Sequence, residues 1–390
     1  MKFSYTHHMP YTGVEKVGQD WPVANKQFSP DEGMRIFRAG IDTKVFAEEC
    51  GFDWIGNNEH HMSPYGLMPN PNLIGACVAE RTSKSMILQS GNIVPIVNPI
   101  RVAEEYAMLD MISGGRLVAG FMRGIPHEYV AYNVAPSESY GRMNEAIELI
   151  KKAWTEPEPF GWEGEYYQFR AVSIWPKPAQ KPHPEIVMSA SSDGSARLAA
   201  EHGATMGVLR VQDYETAHHS IDVYREHARK LGWEPRPHNI ILAMNCSVAP
   251  SKDEAVKTLR RGYDYFFNVL GGGIRTAQRL VVQKTRYFKD DQDAERQTTK
   301  LRTHNQLSLE ERMERGLVMC GTPDMAIEQI TRLYEEFGHG VTNLSVKIGN
   351  VPDDSVRQTM RLLRDEVFPV ARRLGLEEGT ATAEAEGVPA

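Results

Sequence analysis

Cysteine is scarce in this chain: four among 390 residues, at Cys50, Cys77, Cys246 and Cys320, with no Cys-x-x-Cys pair. Spacing that wide excludes a disulfide framework or a zinc ribbon and fits a reducing compartment. Runs of Lys or Arg are missing too. With 44 basic against 51 acidic residues the formal net charge is −7, which argues against nucleic acid or an anionic membrane as partner. No apolar stretch is long enough to span a bilayer, and Met1-Lys2-Phe3-Ser4-Tyr5 opens without an apolar signal core. A soluble, cytoplasmic protein is the expectation. There is no internal repeat and no Gly-Lys-Ser/Thr phosphate loop. Gly114-Gly115 and Gly124 flank a strand instead of following one, at the wrong spacing for a dinucleotide fingerprint.

What is present is an ordinary globular composition, 41% hydrophobic and 24% charged, arranged in a steady alternation of strand and helix patterns. Residues 2–7, 52–56, 86–96, 116–122, 186–190, 204–209, 240–248 and 342–348 read as strands. Between them, 71–81, 99–111, 139–154, 193–203, 213–231, 323–337 and 353–373 read as helices. Before the second strand, Ser29-Pro30-Asp31-Glu32 starts a helix that Gly51 stops, with Glu32 placed to close a capping box. Such repeats favour a parallel sheet with right-handed crossovers, and so many units favour closure into a (β/α)₈ TIM barrel over an open sheet. One α/β domain over 1–374 is expected, with two insertions. The first, 155–184, is rich in Pro and aromatics and suggests a hairpin. The second, 263–317, carries Gly271-Gly272-Gly273 and a charged helix-like stretch around 289–312, and suits a lid. Residues 375–390 read as a frayed tail.

Function in a barrel sits on the loops after the strands. Glu59-His60-His61 has that position, and a His there can exchange a proton near neutral pH. A hydrogen-bonded structural pair is the plain alternative. A metal site would draw on His7 or His8 with His60 and His61, but no spaced Asp or Glu completes a ligand set, so no metal is assigned. Ser191-Ser192-Asp193-Gly194-Ser195 follows a strand and opens a helix, which suits either an anion at the free N–H groups or a simple Ser/Asp cap. Arg123, leaving the strand that ends at Met122, can hold a phosphate by two N–H groups or serve in a surface ion pair.

Taken in order, Glu48-Glu49-Cys50-Gly51-Phe52-Asp53, Glu59-His60-His61, Ser90-Gly91-Asn92-Ile93, Asn98-Pro99-Ile100-Arg101, Leu109 to Arg116, Gly120-Phe121-Met122-Arg123-Gly124, Tyr140 with Glu145, and Ser191-Ser192 before Ala199-Ala200-Glu201-His202-Gly203 resemble the bacterial luciferase-like, flavin-dependent monooxygenases over nearly the whole chain. The resemblance implies a barrel that binds reduced FMN from a separate NAD(P)H:flavin reductase, uses O₂ as co-substrate, and pairs as a homodimer. Carried over by position, it makes His60 the catalytic residue beside the flavin. Asn92 and Ile93 become the strand end whose backbone lies against the ring, Arg123 and Tyr140 neighbours of the ribityl phosphate, and Ser191, Ser192, Gly194 and Ser195 its cradle. The family's luciferases carry Cys where this chain has Met122, so light emission is not implied. The expected activity is hydroxylation or Baeyer–Villiger oxygenation of a medium-sized organic substrate walled by Tyr5, His7, Trp54, Tyr65 and Met122. The rival readings are an F420-dependent oxidoreductase on the same barrel and a non-catalytic flavin-binding protein.

Overall fold

A computed structural model describes residues 1–15, 17, 21–209, 211, 213–284, 295 and 307–374. Most of the charged stretch after residue 284 and the tail 375–390 lie outside the described residues. Eleven strands are described: β1 Lys2–Thr6, β2 Trp54–Asn57, β3 Met86–Ile93, β4 Leu117–Met122, β5 Phe160–Glu163, β6 Gln168–Val172, β7 Glu185–Ser189, β8 Thr205–Val208, β9 Ile240–Val248, β10 Met319–Gly321 and β11 Val341–Ser345. Eight of them form one parallel sheet in the order β9-β11-β1-β2-β3-β4-β7-β8, and β8 pairs back onto β9 to close it. The short β10 extends the sheet beside the C-terminal half of β9, Met319 opposite Cys246 and Gly321 opposite Val248. The expected (β/α)₈ barrel is thus the observed one.

Strand alternation divides the apolar side chains between two cores. Trp54, Leu88, Val118, Met122, Val187, Ile241 and Val341 fill the lumen. Their strand neighbours Tyr5, Ile55, Ile87, Phe121 and Ile186 face outward and join the helices in a larger cluster. Helix starts follow simple grammar: Asn70 caps Pro71–Arg81 and Asn98 caps Pro99–Ser113, each with Pro in the first turn. Ser29 caps Pro30–Glu49 as expected. The capping box does not form there, because Glu32 bonds Arg35 at 2.6 and 2.7 Å while the Ser29 N–H is satisfied by Tyr11 Oη at 2.8 Å.

Several elements depart from the sequence reading. β3 stops at Ile93 and passes into a 3₁₀ turn, Val94–Ile96, because Pro95 has no N–H to continue a ladder. The stretch after β4, read as loop, holds the helix Pro126–Ala131, and Lys252–Asp264 is a further helix that apolar periodicity did not mark. The last helix is Asp353–Leu362, a π turn Leu363–Val367 and then Phe368–Ala371, the break falling where Pro369 withholds its N–H.

The first insertion is the expected hairpin, β5 antiparallel to β6. Buried Glu145, on the helix Ser139–Thr155, pins it: its carboxylate accepts from Trp162 Nε1 at 3.0 Å, Tyr166 N at 2.8 Å and Tyr167 N at 2.9 Å. The second insertion opens with a π turn, Tyr265–Leu270, and the helix Gly271–Lys284, which packs on Pro126–Ala131. Replacing Glu145 by Ala strips the hairpin of three contacts to a buried charge. A loss of about 2–4 kcal/mol is expected in urea unfolding, with the hairpin cut first in limited proteolysis; an unchanged urea midpoint would refute this anchoring.

Candidate active site

The loop carrying Glu59-His60-His61 leaves β2 at a point held from outside the barrel. Lys44 is fully buried, and its ammonium donates to the Gly56 carbonyl at 2.5 Å. Burial pushes its pKa down to about 7. Beyond this point the two histidines part. His61 turns inward: its Nε2 meets Glu59 Oε1 at 2.7 Å, and its Nδ1 meets Tyr132 Oη at 3.0 Å. The other Glu59 oxygen accepts from Ile93 N at 2.9 Å, so His61 and Glu59 brace the end of β3. Burial raises the Glu59 carboxyl above its ordinary range, against the pull of the His61 contact.

His60 faces the other way. Its Nδ1 lies 3.3 Å from Glu128 Oε1, with 19% of the His60 side chain exposed and none of Glu128. His8 stacks on it, centroids 5.3 Å apart at 10°, and Tyr65 meets it edge-on at 4.7 Å. Its Nε2 has no hydrogen bond to any described residue, yet it is not among the fully buried orphans; it is the open corner of the ring. Burial, and then His61, push the His60 pKa down to about 3. Burial pushes Glu128 up to about 7, against the Ile125 N–H, which donates to its Oε2 at 2.8 Å. The pair is therefore a neutral imidazole against a carboxyl poised at neutrality. Beside it His127 is also buried and held neutral, by burial and the neighbouring His60 and His61, with its pKa near 3. Its Nδ1 is buried without a partner among the described residues, and Trp21 packs edge-on at 5.3 Å.

A second group forms at the exits of β4 and β7. Ser192 caps the helix Asp193–Glu201; its Oγ accepts from Ser195 N at 3.4 Å and meets Ser195 Oγ at 2.9 Å. Tyr140 Oη lies 3.2 Å from Ser192 Oγ, and the Arg123 guanidinium stacks over the Tyr140 ring at 4.2 Å. A Cβ added at Gly194 would sit 3.6 Å from Tyr140 Oη. Asp193 turns its carboxylate to His219 at 2.9 Å and toward Arg197 at 3.8 Å. A guanidinium, serine hydroxyls and a helix start with its acid turned aside fit a phosphate monoester. The segment 122–128 joins the two groups. Gly124, at φ +78°, sits so that a Cβ would fall 2.5 Å from Ile93 Cγ2 and 2.9 Å from Glu128 Oε2.

The structure thus brings together Arg123, Tyr140, Ser191, Ser192, Gly194 and Ser195, and it places His60 and Tyr65 side by side. It disposes other expected residues differently. Ile93 offers an amide already taken by Glu59. The Asn92 side chain points out to the helices, exchanging hydrogen bonds with Asn72 at 3.0 and 3.2 Å, so only its backbone, the part expected against the ring, is left toward the barrel. Tyr5 and His7, expected in the substrate wall, also lie outside the lumen, bonded to each other at 2.9 Å, because odd positions of β1 face the helix layer. Trp54 is inside but opens β2, under Lys2 Nζ at 5.8 Å, at the end opposite the strand exits. Met122 lines the lumen at the exit end of β4.

Sequence reasoning missed Glu128, His127 and Phe266, and it considered His8 only as a possible metal ligand. Phe266 reaches Tyr65 at 5.1 Å and His8 at 6.0 Å. Only Glu128 left a signal, an acid three residues after Ile125 with Pro126 between. No group of three or more His, Cys, Asp or Glu converges as a metal site among the described residues.

A closed parallel barrel whose polar side chains gather at the carboxyl ends of its strands is the architecture of a barrel enzyme. Residues 23–339 match the family described as luciferase-like monooxygenase, and the chain belongs to that family. It is 29% identical over 252 residues to the oxygenase component of the flavin-dependent trigonelline monooxygenase of Acinetobacter baylyi, covering 63% of this chain and 68% of that one. With an uncharacterized protein of Sinorhizobium fredii the identity is 33% over 183 residues, and the match spans 46% of this chain and 53% of the relative. Among solved structures it is similar to the oxygenating constituent of 3,6-diketocamphane monooxygenase from Pseudomonas putida, a type II Baeyer–Villiger enzyme in complex with FMN. That likeness has a TM-score of 0.72 at 20% identity, covering 94% and 98% of the two chains. It is similar as well to an F420-dependent secondary alcohol dehydrogenase holding an F420–acetone adduct, at TM-score 0.67 and 19% identity over 95% and 99%. At these identities the likeness speaks for the fold.

Because the folded Glu128 carboxyl titrates above its unfolded value, the native state keeps a proton that the unfolded chain loses between its ordinary pKa, 4.5, and about 7. Its stabilising contribution is full below the lower value and is lost as pH rises through the upper one. Glu128→Gln, which cannot ionise, should gain about 2–3 kcal/mol on wild type between about pH 4.5 and pH 8 in urea unfolding; a constant difference would contradict the raised pKa. Gly124→Ala, strained in φ and crowding Ile93 and Glu128, should lose about 1–3 kcal/mol by the same measurement, and a neutral variant would contradict the close packing.

Proposed function

We propose that the chain is the oxygenase component of a two-component flavin monooxygenase, taking reduced FMN from a separate NAD(P)H:flavin reductase and using O₂. The Arg123–Tyr140–Ser192 cradle carries this reading, because its donors suit the FMN phosphate and β4 sets them one short segment from His60 and Glu128. Arg123, Ser191, Ser192, Ser195 and the N–H of Gly194 would hold the phosphate, with Tyr140 as the platform under the guanidinium. Reduced FMN, when bound, supplies the electrons that activate O₂ for insertion into an organic substrate, by hydroxylation or in the Baeyer–Villiger manner.

The chain's own task is to position groups and keep water out. His60, neutral and fixed through Nδ1, can give or take a proton only at Nε2. Phe266 covers His8 and Tyr65, Tyr265 Oη donates to the Val14 carbonyl at 2.6 Å, and Gly271–Lys284 packs on the helix bearing Glu128. Residues 265–284 of the second insertion are thereby tied to the loops over the strand ends, as a lid would be. Tyr65, Met122 and Phe266 would wall a medium-sized substrate.

Pairing with a second copy is also part of this reading. On adjacent helices, Leu73 (67%), Met108 (51%), Met111 (53%) and Ile112 (47%) stay exposed, and the last three share one helix face. Met111→Glu should turn a dimer into a monomer in light scattering; an unchanged mass would remove this surface from the proposal.

With a reductase, NADH and candidate ketones, His60→Ala should lose product formation by about 10²–10⁴-fold while binding FMN as wild type does. Full activity in this variant would sink the role of His60. Titration of the same protein with F420 separates the rival: tight F420 binding with no FMN binding would favour hydride transfer on this barrel. Tight FMN binding with no turnover of any candidate would favour a non-catalytic flavin-binding role.

A further inference from the structure

A histidine that works at one nitrogen must have its tautomer chosen at the other. Among the described residues, the polar partner of His60 Nδ1 is Glu128, 3.3 Å away. Glu128 cannot swing out of that contact easily. Its second oxygen is held by the Ile125 N–H at 2.8 Å, and Gly124 closes against the same oxygen. The His60 ring is equally confined, with His8 on its face, Tyr65 on its edge and Gly66 beneath: a Cβ at Gly66 would lie 3.4 Å from His60 Cβ. What can change between the two groups is where their protons sit.

We propose that Glu128 is the positioning residue that chooses the tautomer of His60, so that the pair is a two-state switch at the mouth of the barrel. With the carboxyl protonated, its O–H donates to Nδ1 and His60 presents Nε2–H, a donor. With the carboxylate, Nδ1–H donates to Glu128 and His60 presents the bare Nε2 lone pair, an acceptor and base. The step between them conserves protons. The Nε2 proton leaves to a base, either substrate or water, as the carboxyl proton crosses to Nδ1. No ring cation forms.

The surroundings favour this route over protonation of the ring. Among the described residues, the groups facing the pair are Glu59 and His61 on its own loop, His8 after β1, Tyr65 beyond the turn, and His127 and Tyr132 on the Glu128 helix and its end. Arg123 precedes that helix, and Arg275, on the helix packed against it, donates to the Phe267 carbonyl at 2.8 Å. His127, itself held neutral, sits beside His60, and the buried site disfavours a cation on either ring. Burial drives the imidazole down to about 3 and the carboxyl up to about 7, so near neutrality the carboxyl is the group that changes. The same residue can thus donate a hydrogen bond to a bound oxygen species and, one proton later, accept a proton from substrate.

This inference rests on the proposed place of His60 beside the flavin, but its test does not need flavin. Full-length protein labelled with ¹⁵N-histidine is titrated by NMR from about pH 5 to about pH 9, the His60 signals being assigned by their loss in His60→Gln. The expected result is an Nε2-protonated ring at the acid end and an Nδ1-protonated ring at the alkaline end, with a midpoint near 7. Glu128→Gln should hold one tautomer throughout. A single wild-type tautomer across the range, or an imidazolium forming above pH 6 or so, would overturn the switch, and the wild-type titration is decisive even if the Gln variant fails to fold. FMN binding measured on the same samples keeps the two claims apart. Binding with an invariant tautomer refutes only the switch; a working switch without binding refutes only the flavin reading.

Discussion

The pairing of β8 with β9 closes the sheet, and the rest of the molecule depends on that closure. An open sheet of the same strands would leave two edges and spread its strand exits along a line. Closed, it gathers the ends of β2, β4 and β7 around one mouth, and residues far apart in sequence become neighbours. His60 meets Glu128 across 68 positions, and Tyr140 meets Ser192 across 52. The lumen beneath is filled by Trp54, Leu88, Val118 and their partners, so the mouth has a rigid apolar floor. β4 has a particular place in this ring. Its last residues turn through Gly124 and deliver Arg123 to one side and Glu128 to the other.

The mouth is built from ionisable groups that the fold has taken out of water. Burying a charge without a partner costs several kcal/mol, so such groups are neutralised, paired or hydrogen-bonded. All three outcomes occur here. His60 and His127 are kept neutral, Glu59 is divided between His61 and the Ile93 amide, and Lys44 leans on the Gly56 carbonyl. These contacts hold backbone as well as side chains in the loops after β2 and β3. Preorganised polar groups in a site of low dielectric are what proton transfer and charge stabilisation require.

Most of the barrel was legible along the chain, because strand and helix periodicities, Asn-Pro and Ser-Pro helix starts and glycine stops are local signals. Pro71–Arg81 and Ile240–Val248 fall where the pattern puts them. Signals failed where the local pattern is short or polar. Pro126–Ala131 has six residues, too few for helical periodicity to show, and Lys252–Asp264 is mostly charged on its outer face. The three residues of β10 become a strand only because β9 outruns its other neighbours. Of the site, the cradle was the most readable part, since Ser191 to Ser195 is a contiguous helix start.

Neighbours within a few residues along the chain set the alternation of elements, the Ser-rich helix start and the place of Glu59-His60-His61 after a strand, and all of these could be read without a fold. Which way each side chain faces came only with the closed barrel. Counting could not tell that Tyr5, His7 and Asn92 look outward, that Trp54 lies at the far end of the lumen, or that His61 braces while His60 is left open. Nor could it pair His60 with Glu128. Those outcomes depend on barrel register and on burial, which shifts protons only after distant strands have come together.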